Sequence, residues 1–110
     1  MMLKWLLLSL SFGTAALAAN DKNIIPSLCV GALTSYQEEL SWSQTTKREQ
    51  IAKQADYFIA LHYQSEGQAF PGLLERVFFV NKMRERVEQN FNMFELPEIR
   101  KTCQEALYKQ

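Results

Sequence analysis

TTKREQIAKQADYFIALHYQ, residues 45–64, is the stretch with the clearest helical pattern in this chain of 110 residues. Its apolar positions recur every three or four residues and gather on one side of a helix, with one histidine among them: Ile51, Ala55, Phe58, Ile59 and His62. We predict a helix from Thr46 to Gln64, started by a capping box in which Thr46 and Glu49 satisfy two backbone amides. This helix is expected to be the central one of the fold.

The segments on either side predict further helices. A pattern that turns helical at Ile24, with Pro26 in the first turn, predicts the first helix. Its inward-facing positions are Cys29, Leu33, Tyr36 and Leu40. Stop and restart signals in residues 65–72 precede a third helix, predicted from about Leu73 to Phe94. Its predicted buried stripe is Leu73, Val77, Val80, Met83, Val87, Phe91 and Phe94.

A fourth helix is predicted to begin at Leu96-Pro97-Glu98, with Ile99, Cys103, Ala106 and Leu107 on its apolar side. The sequence shows no alternating strand pattern, no hairpin signal and no internal repeat. We therefore predict an all-α fold, a small antiparallel bundle of about four helices.

Residues 1–19 have the pattern of a secretory signal peptide. Lys4 precedes an apolar run from Trp5 to Phe12, and Ala16 and Ala18 form an A-x-A cleavage signal. Cleavage would leave residues 20–110 as a single helical domain in the periplasm or outside the cell. The apolar run is shorter than the roughly 20 residues that span a bilayer, so no stable membrane anchor is expected after cleavage.

The charge balance of residues 20–110 excludes some classes of partner. Loss of Lys4 leaves 11 basic and 12 acidic side chains. This near-neutral balance does not favour nucleic-acid binding or a cationic membrane-active peptide.

Cys29 and Cys103 are the two cysteines of the chain. In an oxidising compartment we expect them to form a disulfide between the first and last helices. The bridge would close a loop of roughly 75 residues, which the chain-entropy model values at roughly 4 kcal/mol. A redox centre is disfavoured because the two cysteines do not form a C-x-x-C motif.

The chemical motifs of enzymes and metal carriers are missing from the sequence. His62 is the only histidine, and Asp56 on the same helix points elsewhere, so no catalytic triad is formed locally. Motifs for a phosphate loop, a di-iron bundle and covalent haem are absent as well. We predict no catalytic residues, no metal site and no cofactor; the alternative is a haem- or metal-binding four-helix carrier that uses His62, with Met83 or Met93 as the second haem ligand.

Surplus apolar residues are the feature that points to a function. Leu74, Phe78 and Phe79 lie outside the predicted buried stripe of the third helix, and Phe70 and Trp42 lie in the links. They would either contact a second helix and the chain ends, or form a surface that meets another protein.

These observations predict an exported, non-enzymatic protein-binding module. An inhibitor or immunity-type protein that occludes a secreted enzyme is favoured, ahead of a small chaperone or adaptor. The expected partner is another exported protein, with a homodimer as a further possibility. The predicted partner-binding residues are Trp42, Phe70, Leu74, Phe78 and Phe79.

Overall fold

The computed structural model describes residues 25–108 and contains four helices in that range. They are α1 (Pro26–Glu39), α2 (Thr45–Ser65), α3 (Leu73–Asn90) and α4 (Leu96–Tyr108). The prediction of an all-α antiparallel bundle of four helices is confirmed, and no strand occurs between residues 25 and 108. The predicted signal peptide, residues 1–19, lies outside the described residues.

Helix α1, rather than α2, lies at the centre of the fold. Each of the other three helices packs against α1, whereas they meet one another mainly through side-chain contacts. Seven consecutive residues of α1, Cys29 to Ser35, are buried. A helix that is buried on every side cannot show an amphipathic stripe, which explains why its central position is not visible in the three- and four-residue spacing.

Small residues allow the other helices to approach α1 closely. A Cβ atom on Gly31 would lie 2.5 Å from the backbone oxygen of Met83 and 2.7 Å from Cγ1 of Val87, so α3 rests directly on the α1 backbone. The hydroxyl groups that this packing buries are satisfied. Thr34 Oγ1 donates to the carbonyl oxygen of Val30 (2.7 Å), and Ser35 Oγ donates to Glu88 Oε2 (2.9 Å).

The disulfide joins the first and last helices, as predicted. Cys29 and Cys103 are both buried, and their Cα atoms are 5.7 Å apart. On the outer side of this contact the Arg100 guanidinium lies 3.9 Å from the ring centroid of Tyr36. The bridge and this cation–π contact together hold α4 against α1. The disulfide is consistent with a non-cytoplasmic compartment.

The predicted capping box of Thr46 and Glu49 is wrong. Helix α2 begins at Thr45, and its N-cap residue, Gln44, makes no side-chain capping bond. The Gln44 side chain instead accepts hydrogen bonds from the backbone N–H and the hydroxyl of Ser41, at 3.1 and 3.2 Å. This local turn starts the helix one residue before Thr46 and leaves Thr46 inside it.

A capping box does occur at the start of the last helix. The Asn92 side-chain oxygen accepts a bond from the Glu95 backbone N–H, and the Glu95 carboxylate accepts one from the Asn92 N–H, both at 2.9 Å. This turn also corrects the predicted end of α3, which stops at Asn90 and not at Phe94. The chain must leave the helix at Phe91 so that Asn92 can adopt its capping position.

Candidate protein-binding surface

The first turns of α3 are fixed to α2 by two polar contacts. Arg76 forms an ion pair with Asp56, in which Arg76 Nε lies 3.0 Å from Asp56 Oδ1. The hydroxyl of Tyr63 donates a hydrogen bond to Glu75. Burial of Tyr63, followed by this bond and the negative charges of Glu75 and Glu66, raises the pKa of the tyrosine above its usual value. Tyr63 therefore stays protonated at neutral pH and keeps donating to Glu75.

Between these anchors, the same helix turns four apolar side chains to solvent. They are Leu73, Leu74, Val77 and Phe78, which we call the α3 apolar surface; Leu74 is 85% exposed and Phe78 is 73% exposed. Because these residues are spaced by three or four along one helix, their side chains adjoin. Together they expose on the order of 400 Å², which falls in the range of the largest apolar patch of a typical monomer, and such patches are often functional.

The spacing predicts that Leu73 and Val77 belong to the buried stripe, and this prediction is wrong because both are exposed. The stripe is buried only farther along the helix, at Met83 and Val87. Helix α1 contacts α3 around Gly31, near Met83 and Val87, and the first turns of α3 extend away from this contact. The periodicity correctly identified the side of α3 that faces the protein at Met83 and Val87, but it does not reveal where along the helix the neighbouring element ends.

Phe79 does not belong to the exposed group. Its ring stacks on His62 with centroids 4.7 Å apart and meets Tyr63 edge-on at 5.4 Å. It is partly buried and packs against the hydrophobic core. Thus Phe79 is covered by α2 rather than by the chain ends, and it supports the α3 apolar surface from beneath.

The other two predicted partner-binding residues, Phe70 and Trp42, lie in different links. Phe70 is half exposed and precedes α3 in the link from Glu66 to Gly72, so it flanks the α3 apolar surface. Trp42 lies in the link between α1 and α2, and Arg48 covers one face of its ring at 4.6 Å. Helix α2, about 31 Å long at 1.5 Å per residue, separates the two links. Trp42 therefore does not join Phe70 in one surface.

The turn between α3 and α4 also exposes two apolar residues that the sequence did not predict as partner-binding. Met93 and Phe94, 73% and 79% exposed, occupy the capped turn between α3 and α4. The spacing predicts Phe94 in the buried stripe, and this is wrong because α3 ends at Asn90. An Asn-x-x-Glu pattern at residues 92–95 is the sequence signal that would have ended α3 earlier.

A groove opens beside the α3 apolar surface, between α2 and α3. It has a volume of about 360 Å³, and its lining combines Val77 and Val80 with polar and charged side chains such as Gln37 and Arg76. Arg84 lies at this groove and is 3.7 Å from Glu38 of α1. Val77 is shared by the groove and the α3 apolar surface, so the two adjoin.

His62 is the residue on which the alternative prediction of a haem- or metal-binding carrier depends. Its side chain contacts other residues of the protein. Its ring stacks on Phe79, and its Nε2 atom lies 3.7 Å from Glu66 Oε2. Of the two methionines considered with it, Met83 is buried and Met93 is exposed. Among the described residues, no group of three or more histidine, cysteine, aspartate or glutamate side chains could hold a metal ion.

No protein family, curated protein or solved structure gives a significant match to this chain. In the described part of the chain, no helix has the length and apolar character needed to cross a membrane. The functional argument therefore depends on the surface chemistry of the chain itself.

Proposed function

We propose that this chain is an exported, non-enzymatic module that binds another exported protein through the α3 apolar surface. The favoured role is that of an inhibitor or immunity-type protein, which covers the active site of a secreted enzyme. The signal-peptide pattern of residues 1–19 and the disulfide support the location in the periplasm or outside the cell.

The observation that carries this proposal is the exposure of large apolar side chains on a rigid support. Leu74 and Phe78 project from a helix whose neighbouring positions, Glu75, Arg76 and Phe79, are fixed to α2. A side chain on a preorganised helix loses little additional freedom when a partner covers it. Aromatic and aliphatic anchors in such positions provide most of the binding energy in protein interfaces.

The groove next to this surface supports the same proposal. A side chain of the partner that enters beside Val77 would meet Val80 together with the polar groups of Arg76 and Asn81. Surface and groove together present a shape that a convex, partly apolar segment of another protein fits.

Co-purification from the exported fraction of the native host tests the proposal. Tagged residues 20–110 should retain one enzyme in a defined ratio, and Leu74→Asp and Phe78→Asp should each abolish retention. Gln89→Asp, an equal change at an exposed polar position of the same helix, is the matched control and should retain it. Recovery of many unrelated exported proteins would favour a chaperone over an inhibitor. Equal retention by all four proteins would overturn the proposed surface.

A further inference from the structure

A cavity of about 280 Å³ lies between α1, α4 and the capped turn that joins α3 to α4. Two small, buried residues of α1, Ala32 and Ser35, form its inner wall. The four residues of the α3 apolar surface do not line it, so it is a separate site. Its volume is just below the range of roughly 300–1,000 Å³ that is typical of pockets for drug-sized ligands. The cavity therefore suits a smaller molecule.

Arg100 lines this cavity with a guanidinium group that is held in place but not paired with a carboxylate. Its Cζ atom lies 3.9 Å from the ring centroid of Tyr36, so one face of the group rests on the ring. A guanidinium that stacks through its face keeps the N–H donors of its edge free, in a fork that matches a carboxylate. Arg100 forms no ion pair with any residue from 25 to 108. The Tyr36 ring thus preorganises Arg100 to bind a carboxylate.

Glu39 supplies the opposite charge to the same cavity. It is the last residue of α1, where the negative end of the helix dipole opposes a carboxylate. It has no ion pair within the described part of the chain, whereas the neighbouring Glu38 is paired with Arg84. Ser35, one turn earlier on the same side of α1, donates its proton to Glu88 and keeps oxygen lone pairs that can accept a hydrogen bond. This part of the cavity therefore favours a cationic group.

Apolar side chains from the capped turn and the first turn of α4 complete the lining. They are Met93, Leu96 and Pro97. Met93 is 73% exposed, and its unbranched thioether side chain can adapt to apolar groups of different shapes. The cavity thus combines a carboxylate, a guanidinium group that does not pair with it, and an apolar wall.

We propose that this cavity binds a small zwitterion, an apolar α-amino acid. The carboxylate of the ligand accepts hydrogen bonds from Arg100, its ammonium group donates to Glu39 and Ser35, and its side chain packs against Met93 and Leu96. A zwitterion satisfies both charges of the cavity at once, whereas a simple anion would also meet Glu39 and a simple cation would also meet Arg100. The inference goes beyond the proposed function, because ligand binding here leaves the α3 apolar surface uncovered.

Calorimetric titration of purified residues 20–110 with L-leucine tests the site. We expect saturable binding with a Kd of about 1 mM or tighter. Three further probes each lack one group of L-leucine: isocaproate has no ammonium group, isoamylamine has no carboxylate, and glycine has no apolar side chain. Each should bind about tenfold more weakly or worse, because it leaves one part of the cavity without its complement.

Single substitutions test whether the two charged residues hold the ligand. Glu39→Gln and Arg100→Gln should each weaken L-leucine binding about tenfold or more, because each leaves one charge of the ligand unpaired. Lys101→Gln is the matched control, since Lys101 is exposed next to Arg100 but does not line the cavity, and it should bind like the unaltered chain. Circular dichroism checks that every variant keeps its helix content. Glu39 is exposed, so Glu39→Gln tests the site even if loss of the Tyr36 contact loosens α4 in Arg100→Gln.

Three outcomes would overturn the inference. L-leucine could give no saturable heat at about 10 mM, which would mean a Kd weaker than that concentration. Isocaproate or isoamylamine could bind as tightly as L-leucine, which would mean that the cavity does not recognise both charges. Glu39→Gln could bind L-leucine as tightly as the unaltered chain, which would remove the ammonium site.

Discussion

Helices α1 and α3 have nearly the same apolar content but use it in opposite ways. Six of the 14 residues of α1 and eight of the 18 residues of α3 are apolar. In α1 an unbroken run from Cys29 to Ser35 is buried, whereas in α3 only Met83 and Val87 are. Apolar residues in α1 therefore stabilise the fold, and those in the first turns of α3 are available for binding.

The largest expected difference between the two helices comes from the same substitution made in each. Leu33 of α1 is fully buried and Leu74 of α3 is 85% exposed. Leu33→Ala should lower the free energy of unfolding by about 2–5 kcal/mol, because it removes buried methyl groups and leaves a cavity. Leu74→Ala should change it by less than about 0.5 kcal/mol. Urea unfolding followed by circular dichroism measures both, and equal losses would remove the distinction between the helices.

Loss of the disulfide should affect stability next most strongly. Replacing Cys29 and Cys103 together by alanine removes the covalent link between α4 and α1. It should lower the free energy of unfolding by about 2–4 kcal/mol. The control is the unaltered protein unfolded in the presence of a reductant. Its free energy of unfolding should fall by a similar amount. A double variant as stable as the oxidised protein would show that packing on α1 holds α4 without the bridge.

Gly31→Ala tests how closely α3 approaches α1. The added Cβ would meet the Met83 backbone oxygen at 2.5 Å, so the two helices must separate. We expect a loss of about 1–3 kcal/mol in the free energy of unfolding, typical of overpacking. Gly72→Ala is the control, because no atom lies within 4 Å of its added Cβ, and it should cost less than about 1 kcal/mol. Similar losses for both would contradict the close helix contact.

The smallest effect is expected from the helix caps, where sequence and structure disagree. Asn92→Ala removes a side-chain oxygen that accepts two backbone N–H bonds and should cost about 1 kcal/mol. Thr46→Ala should cost almost nothing, because Thr46 caps no helix. Thermal unfolding of the two variants measures the difference. A larger loss for Thr46→Ala would support the capping box expected from sequence.

Much of the fold follows from local sequence patterns. The four helices, the pairing of Cys29 with Cys103 and the inward side of α2 could all be predicted from spacing and composition. The central position of α1 could not, because its burial on every side depends on three neighbours from distant parts of the chain. The run of small residues around Gly31 was the available signal.

The candidate surface was predictable only in part, for the same physical reason. Spacing separates one side of a helix from another, and it identified Leu74 and Phe78 as lying off the buried stripe. It does not reveal where a neighbouring helix ends, so it predicts Leu73 and Val77 in the core although both are exposed. It also predicts Phe79 at the surface, although His62 and Tyr63 cover its ring. Tertiary packing, not periodicity, decides these positions.

The adjacent residues Phe78 and Phe79 provide the most direct test that the first turns of α3 form a binding surface. Phe78→Asp and Phe79→Asp should be compared for urea unfolding and for partner retention in the same preparation. We predict that Phe78→Asp keeps the stability of the unaltered chain within about 0.5 kcal/mol and abolishes retention. Phe79→Asp should instead lower stability by about 2–4 kcal/mol, because it puts a charge among packed aromatic rings. Equal destabilisation by the two substitutions would place Phe78 in the core and contradict the account.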